Sequence, residues 1–204
     1  ELRKMFAILA AMFFLPFVLL AQNTDQEFGV ALAEGFENGI PATWTQENVS
    51  GSINWIVEST NLTYPNGTVE GTSRLAFRNT TGATTKAVTR LVLPPVDVDA
   101  FFQPVIIFSY AQEKWSGDFD TLRIYYRRSA EENWVLLDVL DSYKSKWTEY
   151  KRQLPNSTYC QVALEATDNM GRGIVIDDLF IRSTPSCFKF LALQVFASLT
   201  PSAR

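Results

Sequence analysis

Gly171-Arg172-Gly173-Ile174-Val175-Ile176-Asp177-Asp178-Leu179-Phe180-Ile181 is the stretch on which the fold turns. Ile174, Ile176, Leu179 and Ile181 read as the apolar part of a strand. Asp177 and Asp178 interrupt it. Two adjacent carboxylates cannot both enter an apolar core unpaired, because a bare buried charge costs more than a strand returns. At least one must be neutralised by a bound cation, by a basic side chain, or by backbone N–H groups and solvent at a sheet edge. All three stay open on the residues alone; a bound calcium would suit the pair, since that ion takes six to eight oxygens, with carboxylates supplemented by carbonyls and water.

Outward from this stretch the chain repeats one pattern. Residues 105–110 form a nearly continuous apolar run of central-strand length. Residues 121–127 alternate, with Leu122, Ile124 and Tyr126 on one face and Arg123, Tyr125 and Arg127 on the other. Residues 159–167 alternate again, with Cys160, Val162, Leu164 and Ala166 inward. Shorter strands are expected at 30–37, 55–57, 73–78, 86–93, 134–140 and 147–154, the last near an edge because its charges alternate. The segments 46–54, 61–71 and 114–120 read as loops from their Asn, Gly, Pro and Ser content. Short strands at regular spacing, with no sustained 3.6-residue period, predict an all-β protein: a jelly-roll β-sandwich of two antiparallel sheets.

The ends differ from the middle. Arg3 and Lys4 precede an uncharged apolar run from Met5 to Ala21, followed by Gln22-Asn23-Thr24-Asp25. That is the pattern of a secretory signal helix. The expected organisation is a signal peptide at 1–21, a polar tail at 22–28, the sandwich domain at 29–183, and a linker at 184–204. An uncleaved anchor is the alternative to cleavage. An exporting route permits a disulfide between Cys160 and Cys187; two unpaired thiols are the other reading.

Composition narrows the chemistry. The net charge of −4 offers no broad basic face, so nucleic acid is not an expected partner. The chain has no histidine, which removes Ser-His-Asp and Cys-His chemistry and imidazole-dependent zinc sites. Carboxylate pairs remain. Asp118 and Asp120 flank Phe119, and Glu149 and Glu165 are further acids, yet no spacing singles out an acid–base pair. Asp118 and Asp120 also suit turn formation. Among five tryptophans, Trp44, Trp55 and Trp134 read as core and Trp115 as exposed in a loop. Trp115, Asp118 and Asp120 are therefore the candidate ligand-binding residues, and no enzymatic activity is expected.

Four segments occur in order: Phe36-Glu37-Asn38-Gly39-Ile40-Pro41-Ala42-Thr43-Trp44, Asn54-Trp55, Gly117-Asp118-Phe119-Asp120-Thr121-Leu122-Arg123-Ile124-Tyr125-Tyr126, and Gly173-Ile174-Val175-Ile176-Asp177-Asp178. Together they resemble the cleaved-adhesin domains of secreted bacterial proteins, of the gingipain haemagglutinin/adhesin type, which are similar in fold to MAM domains. The resemblance spans about residues 29–183. It implies a non-catalytic adhesive module, secreted or at the cell surface, stabilised by calcium held by Glu37, Asp177 and Asp178. It implies a host or matrix protein or a surface glycan as partner, with no membrane insertion of the mature domain. A second calcium loop found in such domains corresponds to residues 46–52, which lack nearly all its carboxylates. Residues 191–196 resemble the opening strand of a fibronectin type III-like module, so further domains of the same polypeptide are expected. The alternative is a carbohydrate-binding module attached to a secreted hydrolase.

Overall fold

The computed structural model describes residues 29–79 and 86–184. The signal segment, the tail at 22–28 and the region holding Cys187 lie outside the described residues. All the named elements are strands: β1 (Val30–Glu34), β2 (Thr45–Ser50), β3 (Trp55–Glu58), β4 (Arg74–Phe77), β5 (Val88–Val92), β6 (Val105–Gln112), β7 (Thr121–Arg127), β8 (Val135–Leu140), β9 (Lys144–Gln153), β10 (Gln161–Thr167) and β11 (Ile174–Arg182).

They form two antiparallel sheets. One runs β3-β4-β11-β6-β9, with β1 also paired to β11; the other runs β2-β5-β10-β7-β8. The chain passes repeatedly between sheets, so neighbours within a sheet are mostly distant in sequence. The core lies between the sheets. Phe77, Ile106, Phe108, Ile174 and Ile176 of the first meet Leu91, Leu122, Ile124, Val162 and Leu164 of the second. The inward sets expected on β7 and β10 are the observed ones, except that Tyr126 is only partly buried. Apolar side chains on the facing sides of the two sheets therefore built this core, their burial contributing roughly 25 cal/mol per Å². Cys160 belongs to it, and burial pushes its thiol up to about 11.

Two expectations need correction. Residues 46–54 read as a loop, but Thr45–Ser50 is an edge strand paired to β5, exposed along its whole length. With no apolar face it carries no alternation to read. Its Gln46 side chain reaches the other sheet, donating to Trp55 O at 3.0 Å and accepting from Trp55 N at 2.8 Å. Trp134 is not core. It is half-buried, with the guanidinium carbons of Arg127 and Arg90 at 4.5 and 5.6 Å from its ring centroid. Trp44 and Trp55 are buried as expected, and Trp55 Nε1 donates to Thr89 O, tying the sheets together. β9 lies at a sheet edge, where Lys144, Lys146, Lys151 and Arg152 discourage pairing with another chain.

β11 is the central strand and changes partner midway. Its residues 174–176 pair with β4, and its residues 179–182 pair with β1. Asp177 and Asp178 sit at the change, where the register against β6 also shifts. Asp178 takes a φ of 56°, the left-handed region that aspartate tolerates better than most residues. The interruption noticed in the sequence is thus a bulge at the gap between two partner strands.

Candidate functional site

Glu37 and Asp177 both address that gap. The loop entering β4 fills it. Asp177, with no exposed surface, accepts from Val69 N at 2.7 Å and Glu70 N at 3.4 Å on Oδ2, and from Asp178 N on Oδ1. Glu37 accepts from Thr72 N and Ser73 N on Oε1, each at 2.9 Å, and from the Thr72 hydroxyl on Oε2. A Cβ at Gly71 would run into Glu37 Oε1, so glycine there lets the loop wrap the carboxylate. The opening and closing strands do bring Glu37 and Asp177 to one loop, residues 69–73. Among the described residues neither forms a salt bridge with an arginine, and the neutralising groups are backbone N–H donors and the Thr72 hydroxyl. Burial pushes Asp177 up, opposed by its three N–H donors. The N–H groups of Ser73 and Thr72 hold Glu37 below its usual range. Among the described residues, no group of three or more acidic, His or Cys side chains is placed to hold a metal.

Glu37→Gln keeps the hydrogen-bonding shape and removes the charge. A lowered folded pKa means stability that is present above the unfolded value, about 4.3, and lost as pH falls through the folded value. In EDTA, wild type is expected to melt above the variant at neutral pH, with the gap closing below about pH 4.3. A gap independent of pH would show that the charge of Glu37 is not what the loop uses.

A cleft of about 530 Å³ lies elsewhere on the same sheet, lined by residues of three loops. The first loop presents Tyr64. It is pinned by the buried Arg74, which donates to Thr63 O at 2.7 Å, Pro65 O at 2.6 Å and Gly67 O at 2.8 Å, and to Glu58 Oε2. Arg78 donates to the other Glu58 oxygen at 2.6 Å, to Thr63 O, and to the Arg172 carbonyl. Glu58 is thus shared by two arginines that both hold loop backbone.

The second loop presents Trp115. Trp115 and Asp118 close a tight turn with two backbone hydrogen bonds of 2.8 and 2.9 Å. Ser116 and Gly117 between them both have positive φ, 50° and 115°. That is the signature of a two-residue hairpin turn, and it leaves Trp115 54% exposed.

The third loop, residues 168–173, presents Met170 and Arg172. Asp120 holds it from beneath, 2% exposed, accepting from Asn169 N (2.8 Å) and Gly171 N (3.1 Å) on Oδ1 and from Gly173 N (2.8 Å) on Oδ2. Asp168 adds a bond from Met170 N. A Cβ at Gly171 would meet Asp120, and one at Gly173 would meet Phe77 O at 2.6 Å. This close packing accounts for the glycines on either side of Arg172.

Arg172 does not pair with Asp177 or Asp178. Its guanidinium carbon lies 4.0 Å from the Trp115 ring centroid and 4.2 Å from that of Tyr64. Of the three ligand candidates named from sequence, only Trp115 lines the cleft. Asp120 is corrected to a buried support, because it has almost no exposed surface and accepts from three backbone N–H groups. Asp118 is an exposed turn residue outside the lining. Glu149 and Glu165 stand on β9 and β10, in different sheets. Sequence reading missed Tyr64, Arg78 and Arg172 as cleft residues, which only the convergence of distant loops brings together.

No protein-family model matches the sequence, and no curated protein matches it. Solved structures do match in fold. The K3 cleaved adhesin domain of Lys-gingipain from Porphyromonas gingivalis W83 superposes with a TM-score of 0.59 at 20% identity, over 78% of this chain and 100% of that one. The K1 domain of the same protein gives 0.60 at 18%, over 77% and 100%. TmCBM61, solved in complex with β-1,4-galactotriose, gives 0.55 at 13%, over 74% and 94%. The chain therefore has the β-sandwich fold of cleaved adhesin domains, as its ordered segments led one to expect. At these identities the likeness is one of fold.

Proposed function

We propose that this chain is a non-catalytic binding module of an exported protein, and that its cleft holds a surface glycan. The observation that carries the reading is the exposed Trp115 beside Tyr64, 39% exposed, at the mouth of a preformed cleft. Flat aromatic faces suit the C–H faces of sugar rings, and large aromatics left in water at a concavity mark binding sites. The loops are already braced by Arg74, Arg78 and Asp120, so little ordering is needed on binding. Backbone conformation supports the same place: the lining residues Tyr64 and Met170, and Ser116 next to Trp115, all have positive φ, and such residues gather at ligand sites. Hydrolysis of a glycosidic bond most commonly uses a pair of carboxyl groups. The one acid among the described lining residues is Glu58, already shared by two arginines.

The test is a glycan array probed with the full chain, followed by titration of any hit. Trp115→Ala is expected to weaken binding at least tenfold, the scale of a buried aromatic anchor. Retained affinity in that variant, with Tyr64→Ala also silent, would move the site off this cleft.

Calcium is the second part of the proposal. Glu37, Asp177 and Asp178 would supply the carboxylate oxygens the ion prefers, once drawn together from an arrangement that does not group the three. As arranged, Glu37 and Asp177 face N–H donors, so binding requires those oxygens to exchange some of these donors for the ion. Millimolar calcium against EDTA is expected to raise the melting temperature, since a ligand of the native state stabilises it. No rise would leave the loop N–H groups as the whole of the neutralisation and remove the ion from the reading.

A further inference from the structure

The cleft holds one cation that the fold leaves unspent. Arg74 and Arg78 are committed to Glu58 and to loop carbonyls. Arg172 is different. Its backbone is fixed, with its N–H donated to Glu113 O at 2.9 Å and its carbonyl taken by Arg78. Its guanidinium rests against two aromatic rings. Among the described residues, no carboxylate or carbonyl accepts from the guanidinium N–H groups. The rings restrict the plane of the group while its donors stay available. A planar guanidinium held this way presents the two-pronged donor geometry that matches a carboxylate, which a mobile surface arginine does not.

The charge balance points the same way. The chain carries a net −4, yet the charged lining of the cleft is Glu58 against Arg78 and Arg172. A positive cleft on a negative protein selects an anionic group at that spot and repels it elsewhere.

We propose that the glycan is acidic, a uronate-bearing oligosaccharide whose carboxylate is bound by Arg172 while a sugar ring rests on the exposed part of Trp115. This rests on the glycan reading above and adds to it the class of sugar. An acidic peptide would supply the same carboxylate. The flat face of Trp115, more than half exposed beside the cation, favours a ring over an extended side chain.

Titration calorimetry at fixed salt, with the full chain and with Arg172→Gln and Arg172→Lys, separates the outcomes. The probes are an oligogalacturonate, its methyl ester of equal length, and an oligoglutamate peptide. The free acid is expected to bind at least tenfold tighter than the ester. Arg172→Gln should bring that ratio close to one, and Arg172→Lys, which keeps charge without the fork, should lose most of it. Both variants should melt within a few degrees of wild type, because the side chain makes ring contacts alone.

Equal binding of acid and ester by wild type overturns the acidic preference and leaves the glycan reading standing. So does a ratio unaffected by Arg172→Gln. Binding of neither sugar here, together with an empty glycan array, overturns both. Oligoglutamate binding as tightly as the oligogalacturonate overturns the proposal in favour of an acidic protein segment.

Discussion

Arg74→Met is expected to lower the unfolding free energy by about 3–5 kcal/mol, the usual consequence of removing one partner of a buried ion pair. The side chain has no exposed surface. Methionine preserves much of the stem volume but none of the donors. It strands the carbonyls of Thr63, Pro65 and Gly67 and leaves Glu58 with Arg78 alone. Burial draws the Arg74 pKa down while Glu58 opposes that, so this charge is held at the expense of its hydration. The double variant Glu58→Gln/Arg74→Met should recover part of the loss, because the uncompensated carboxylate is gone; a double-mutant cycle isolates that coupling. Urea unfolding should show the change in midpoint at constant slope. Glycan affinity should fall as well, since Tyr64 rides on the released loop. A loss below about 1 kcal/mol, the worth of a surface pair, would show that Arg74 is not buried in solution as it is in the structure.

The same residues show what a sequence can and cannot disclose. Strand periodicity is local, so the apolar run of β6 and the alternation of β7 and β10 were readable directly, and with them the sandwich. β2 was hidden because an edge strand exposed on both faces has no period. The acidic interruption at Asp177-Asp178 announced an unusual site, and the meeting of the first and last strands brought Glu37 and Asp177 to one loop. What neutralises them there, N–H groups of residues 69–73, has no side-chain signature. Trp115 was legible from its Gly-containing polar loop. Arg172 was visible only as a possible partner for the aspartates. Its true neighbours, Tyr64 and Trp115, lie 108 and 57 residues away in sequence, a separation across which no local rule operates.

Asp120→Ala should be the more damaging change at the third loop. Alanine takes the acceptor from the N–H groups of Asn169, Gly171 and Gly173 at once. A buried N–H without a partner costs about 1–3 kcal/mol, so a loss of about 3 kcal/mol or more is expected. Asp120→Asn retains one carbonyl oxygen for two of the donors but turns an amide N–H₂ toward the third, and should fall between alanine and wild type. Burial raises the Asp120 pKa, with its backbone donors pulling the other way. A raised folded pKa means that stability is gained on acidification: the native state takes up its proton while the unfolded aspartate, near 3.9, is still ionised. The gap between wild type and Asp120→Asn should therefore widen as pH falls from neutral toward about 4 and level off below. The direction of that slope separates the two roles open to this residue. A carboxylate that contacts ligand from a solvated rim would leave the melting temperature nearly unchanged in both variants and move only the binding constant. A carboxylate that carries the turn beneath Arg172 must move the melting temperature first, with binding following it.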